Sequence, residues 1–266
     1  MVKIMFGNIS RFLANFNRYK FLLYELIKRD IQSKYKESVL GLLWSFFNPL
    51  LQCLALTIVF STLFGRSIPN YPVYLLSGKL LFDLFANSTS GAMNSIRANR
   101  QIIKKVYVPK YMFTLGVVSS EFVNYLISLI VLVLVMIVTR APFYLSIVYM
   151  VIPVIFMFIF AIGVGLILAT LTTFFTDVKY LWGVMIMLLS YLTPLFYPIS
   201  IIPKKFLIFF YLSPIYAAVS SCRDCILYNC FPNLYLLSYL ILSAIVALVI
   251  GIVIFYKYQD KFILRL

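Results

Sequence analysis

The sequence predicts an all-α integral membrane protein. Six transmembrane helices are expected, with an N-terminal amphipathic interface helix and a re-entrant helical pair before the last span. Three observations carry that expectation. Apolar stretches of about 20 residues, the length that crosses a hydrocarbon core of about 30 Å, fill almost the whole chain. The composition, 63% hydrophobic and 18% aromatic over 266 residues, leaves too little polar surface to cover a soluble fold. The 23 Lys and Arg residues gather in alternate connections between the stretches.

Residues 1–38 form the first unit. Phe12, Phe16, Tyr19, Leu23, Leu26 or Ile27, and Ile31 recur at helical spacing among Arg18, Lys20, Lys28, Arg29 and Lys34. That pattern is an amphipathic helix lying in the membrane interface, either an inert anchor or a grip on a partner or substrate. These residues lack the apolar core and small-residue cleavage site of a signal peptide. The second unit, 39–266, is one membrane domain. Its first span, about 39–64, reaches about 39 Å as a helix and contains Asn48-Pro49, which should kink or break it. Further spans are expected at about 71–95, 112–138, 147–175, 180–197 and 234–256. Between the last two, 198–231 holds two apolar pieces too short to cross singly, separated at Pro214; together they read as a re-entrant pair dipping into one leaflet. Seventeen of the Lys and Arg residues fall on one set of connections and termini. Only Arg66, Lys79, Arg140, Lys204, Lys205 and Arg223 fall elsewhere, so both termini are expected to be cytoplasmic.

The second span is unusually polar. Lys79, Asp83, Asn87, Ser90 or Gly91, and Asn94 fall three or four apart and share one helical face. Hydrocarbon penalises such a face, so it must meet protein or water, as polar glue or as the wall of a hydrated path. Lys79 and Asp83 are spaced for an i,i+4 ion pair. Glu121, Asn124 and Ser128 repeat the theme on the third span. Gly163-x-Gly165-x-x-x-Ala169 on the fourth lets helices approach closely. Two aromatic clusters sit beside proline breaks: Trp44, Phe46 and Phe47, and Tyr191, Phe196 and Tyr197. Such rings anchor at membrane interfaces, or stack on the C–H faces of sugars.

Several chemistries are missing. The chain has no His, and Gly78-Lys79 lacks the rest of a phosphate-binding loop. No second carboxylate accompanies Asp83 or Glu121 at helical spacing, so no catalytic set is expected. Cys222, Cys225 and Cys230 leave open free thiols, a disulfide or half a metal site; no metal centre is expected. The formal charge of +15 lies in connections between spans, which points to membrane topology and anionic lipid rather than nucleic acid.

Arg29-Asp30-Ile31-Gln32-Ser33-Lys34-Tyr35-Lys36-Glu37-Ser38-Val39-Leu40-Gly41, followed by Trp44 and Asn48-Pro49, resembles the opening of bacterial polysaccharide-export permeases. These are the membrane subunits of type-two ABC exporters for O-antigen, capsule and teichoic acid. Asn99–Lys110 resembles the family's cytoplasmic segment between spans two and three. Phe175–Tyr180 resembles its Arg-Asp-Val turn, with Thr176 in place of the Arg. Thr193–Pro198 and Leu212-Ser213-Pro214 resemble its outer-gate region, with Ser213 where Asn is common.

The resemblance implies a permease in the bacterial cytoplasmic membrane. It implies a second copy of the chain and two copies of a separate ATPase, which would carry the ATP and Mg. It also implies a glycan borne on a polyprenyl diphosphate. On that footing Arg97, Arg100, Lys104, Lys105 and Lys110 are expected to dock on the ATPase. Arg29, Lys34 and Lys36 are expected to meet the diphosphate. Trp44, Phe47, Tyr191 and Phe196 are expected to line the glycan path. The competing readings are a permease of the same architecture for a drug or small lipid, and an intramembrane enzyme of lipid-linked sugar metabolism.

Overall fold

The computed structural model describes residues 18–36, 40–64, 68 and 70–265. Every regular element among them is helical. In chain order these are α1 (Lys20–Tyr35), a 3₁₀ turn at Gly41–Leu43, α2 (Trp44–Phe64) and α3 (Tyr71–Ala98). Next come α4 (Arg100–Lys105), α5 (Tyr111–Val138), a second 3₁₀ turn at Leu145–Met150, α6 (Val151–Phe174) and α7 (Val178–Leu192). The chain ends with α8 (Leu207–Tyr211), α9 (Pro214–Leu227), α10 (Leu234–Tyr258) and α11 (Phe262–Arg265). Phe12, Phe16, Arg66 and the expected start of the first span at residue 39 lie outside the described residues.

Four helical segments are long and apolar enough to cross a membrane: Trp44–Thr62, Tyr111–Val138, Leu145–Phe174 and Leu234–Lys261. Two expected spans fall short on that measure. Helix α3 has the length, but its polar face lowers its hydropathy. Helix α7 has 15 residues, about 22 Å, and does not continue to residue 197 as expected. It stops at Leu192, and Thr193–Pro198 is irregular. Proline at 194 explains the stop, since the residue before a proline is pushed out of the helical region. Where the re-entrant pair is expected lie two helical pieces, Lys204–Tyr211 and Pro214–Leu227, bent by 94° at Leu212-Ser213, the geometry of a re-entrant loop or of one broken span. Ser213 caps the second piece by accepting from the Tyr216 N–H, and Pro214 follows at the first helical position.

The expected break at Asn48-Pro49 does not occur: α2 runs through it. Because α2 begins at Trp44, Pro49 sits in its second turn and has no N–H to donate to the Ser45 carbonyl. The Ser128 hydroxyl of α5, which donates to Asn124 O at 3.0 Å, also lies 3.4 Å from this carbonyl, so a polar group of a neighbouring helix faces the proline site.

Helix α3 is the hub. It packs against α2, α5, α6, α7 and α9, and most of its residues are buried. Helices α6 and α10 pack along their length, closest at Gly163 and Gly251. A Cβ on Gly251 would sit 2.5 Å from the Gly163 carbonyl oxygen, so only glycine fits there. Helix α1 lays Leu23 and Leu26 on α5 beside Tyr111, Met112 and Leu115. At the other extreme α7 buries none of its residues; it hangs on α3 through Trp182, whose indole N–H donates to Thr89 Oγ1 at 3.1 Å.

Candidate functional site: a polar cleft between helices

Three helices with apolar outer faces turn polar side chains towards one another. From α3 come Asp83 and Asn87, from α5 Glu121, Asn124 and Ser128, and from α2 Trp44, Asn48 and Gln52. With Lys34 of α1 they line a cleft of about 400 Å³. Its polarity follows from local spacing. Trp44, Asn48 and Gln52 are four apart on α2, and Gln52 Nε2 donates to Asn48 Oδ1 at 3.0 Å. Glu121 and Asn124 are three apart on α5, and Asn124 Nδ2 donates to Glu121 Oε2 at 3.3 Å. Asn124 Oδ1 is buried without a hydrogen-bond partner among the described residues. The expected Lys79–Asp83 ion pair is formed at the cleft's edge.

A second hollow, about 440 Å³, shares Lys34, Glu121 and Asn124 with the first and extends to Asn94, Arg29 and Asn99. Lys34 Nζ lies 3.2 Å from Glu121 Oε1, across the junction of the two. The polar face of α3 therefore divides between them, Asp83 and Asn87 in one and Asn94 in the other. Arg29 is held by Asp30 Oδ1 at 2.8 Å and donates to Asn99 Oδ1 at 2.8 Å. Lys36 is exposed just past α1.

The four aromatic residues expected on the path are not gathered within one chain. Trp44 lines the cleft, while Phe47 turns aside to pack edge-on against Phe46. Tyr191 is exposed, and Phe196 stacks on Phe60 with ring centroids 5.7 Å apart. Phe60 is about 24 Å along α2 from Trp44, so the pairs mark opposite ends of that helix.

At the α3–α5 connection, α4 buries Ile103 and exposes Arg100, Lys104 and Lys105. Arg97 is half-buried with its guanidinium 3.5 Å from the Thr173 carbonyl. Lys110 donates to the Gln259 carbonyl at 2.6 Å, and burial lowers its pKa against the opposing pull of Asp260. A hollow of about 820 Å³ runs beneath this segment, and Tyr107 beside it is fully exposed.

Sequence reasoning missed Arg223. Counted there as one charge in a connection, it lies buried on α9, along with Cys222 and Cys225; all four cysteines are free. Asn48 and Gln52 were also missed as cleft residues, although their spacing from Trp44 was visible.

A bundle of helices long and apolar enough to cross a membrane, with a polar cleft between them, fits a membrane permease. Residues 22–227 match the ABC-2 type transporter family, and the chain belongs to it. It is 35% identical over 243 residues to the O-antigen export system permease protein RfbA of Klebsiella pneumoniae, covering 91% of this chain and 93% of that one. It is 22% identical over 247 residues to the polysialic acid transport protein KpsM of Escherichia coli, covering 91% and 95%. The capsule polysaccharide export inner-membrane protein CtrC of Neisseria meningitidis is 23% identical over 203 residues, covering 74% and 75%.

Proposed function

We propose that the chain is the membrane-spanning subunit of an ATP-driven exporter. Its cargo is a polysaccharide on a polyprenyl diphosphate, moved from the cytoplasmic to the outer face of the bacterial cytoplasmic membrane. Relatives that export O-antigen, polysialic acid and capsule polysaccharide support the cargo class. The observation that carries the reading is the cleft. Asn, Gln, Asp and Trp side chains suit sugar hydroxyls and sugar faces, and polar groups facing one another across a cleft between spans suit a hydrated path.

In this reading α3 and α7 also cross, which makes six spans with both termini inside, and α1 lies at the inner interface. The bare flanks of α2 and α7 meet a second copy, because one bundle of this size cannot enclose a sugar chain. Two ATPase subunits dock on the segment from Arg97 to Lys110, where Tyr107 offers an apolar knob among Arg100, Lys104 and Lys105. Arg29, Lys34 and Lys36 receive the diphosphate at headgroup depth.

The test is co-purification with an ABC-type ATPase subunit from the same cell. A stable complex whose ATP hydrolysis is stimulated by a lipid-linked glycan is expected. A chain that binds no ATPase, or that chemically alters the lipid-linked sugar by itself, contradicts the reading.

A further inference from the structure

Four successive backbone carbonyls, Pro194 to Tyr197, leave the helical pattern after α7, and the fold serves each of them from elsewhere. Arg223 Nη1 donates to Pro194 O at 2.8 Å and its Nη2 to Leu195 O at 3.1 Å. The Tyr71 hydroxyl donates to Phe196 O at 2.8 Å, and the Tyr74 hydroxyl to Tyr197 O at 2.9 Å. Arg223 also reaches the Tyr74 carbonyl, from Nε at 3.3 Å and Nη2 at 3.2 Å, and its guanidinium carbon lies 3.5 Å from the centre of the Tyr74 ring.

This is an unusual place for a cation. Arg223 is 5% exposed and makes no ion pair among the described residues. Its charge is met by carbonyl dipoles at the C-terminal end of α7 and by an aromatic face. A planar fork of five donors can serve several carbonyls at once in a fixed geometry. Room is made for it: a Cβ on Gly78 would sit 2.6 Å from Arg223 Nη2.

We propose that Arg223 is a positioning residue for export. With Tyr71 and Tyr74 it latches the irregular segment 194–197 to α3 and α9, and so holds Phe196 closed against Phe60 at the outer end of the path. The proposal rests on the export reading for its purpose but on the geometry for its existence. The latch must open for Phe196 to move, and polar bonds between groups that water can also satisfy are suited to reversible opening.

The test places a reporter, Phe196→Cys with Cys230→Ser, in the full chain with its ATPase in lipid nanodiscs. The rate at which a water-soluble thiol reagent labels position 196 is then measured without nucleotide. Adding Arg223→Met should raise that rate at least about tenfold, because several charge-assisted bonds are lost from the closed state only. Arg223→Lys, which keeps the charge but lacks the fork, should fall between. Tyr71→Phe, which removes only the bond to Phe196 O, should raise it about threefold and decides the matter if Arg223→Met does not assemble. A merely structural role would lower the yield of folded complex and leave the labelling rate of the folded fraction unmoved. Labelling rates equal to that of the reporter alone in the variants that assemble overturn the proposal. Faster labelling supports the latch whatever the reporter exports; a complex with Phe196 intact that exports no glycan overturns the export reading instead.

Discussion

Lys34 is expected to bind the diphosphate, yet Glu121 already occupies it, and that competition can be measured. Nζ lies 3.2 and 3.3 Å from the two carboxylate oxygens. A pair at this separation is worth about 5 kcal/mol at an effective dielectric of about 20. The Lys34 side chain is 45% exposed, so screening and the cost of ordering it bring the net to about 1 kcal/mol. Any anion that binds Lys34 must overcome that amount. Glu121→Gln should therefore tighten binding of the lipid-linked diphosphate about fivefold. The assay is the substrate concentration that half-saturates stimulated ATP hydrolysis by the purified complex. The gain should shrink as salt is raised, since the pair is partly exposed. Lys34→Gln should weaken binding, and in that background Glu121→Gln should add nothing. Unchanged or weaker binding in Glu121→Gln refutes the reasoning, as does an equal effect with and without Lys34.

Three further outcomes are expected. Lys104→Glu with Lys105→Glu should leave the chain inserted but uncouple ATP hydrolysis from export; full coupling in that variant rules out α4 as the docking element. Gly251→Leu drives a side chain into the α6 backbone and should cost about 3 kcal/mol or more, read as a lowered thermal midpoint in detergent; an unchanged midpoint contradicts the close α6–α10 contact. Changing Trp44, Phe47, Tyr191 and Phe196 together to Leu keeps apolarity but removes the planar faces, and export of long glycans should fall while the complex still assembles; normal export removes these rings from the path.

The helices α5, α6 and α10 were legible because hydrocarbon selects run length, and each is a long apolar run. The polar face of α3 was legible because its residues recur three or four apart. The end of α7 was not. Leu195 and Phe196 continue the apolar run past Pro194 while the backbone is irregular, so a reading by apolar run overruns the helix. At Pro49 the helix does not break, and the polar group that faces the Ser45 carbonyl, Ser128, is 83 residues away in sequence. Arg223 was invisible as anything but a charge, because its carbonyl partners include one 149 residues away. Lys34 and Glu121, 87 residues apart, were each noticed but never paired, for the same reason.

The central claim is that this chain moves a lipid-linked glycan across a membrane under the power of a separate ATPase. It is tested most directly in proteoliposomes holding the complex with its ATPase outward and the lipid-linked glycan in the outer leaflet. The account predicts that adding ATP makes the glycan progressively inaccessible to an external glycan-cleaving enzyme, and that omitting either subunit abolishes this. A glycan that stays accessible with ATP and both subunits present, in vesicles where the ATPase is active and substrate-stimulated, contradicts it.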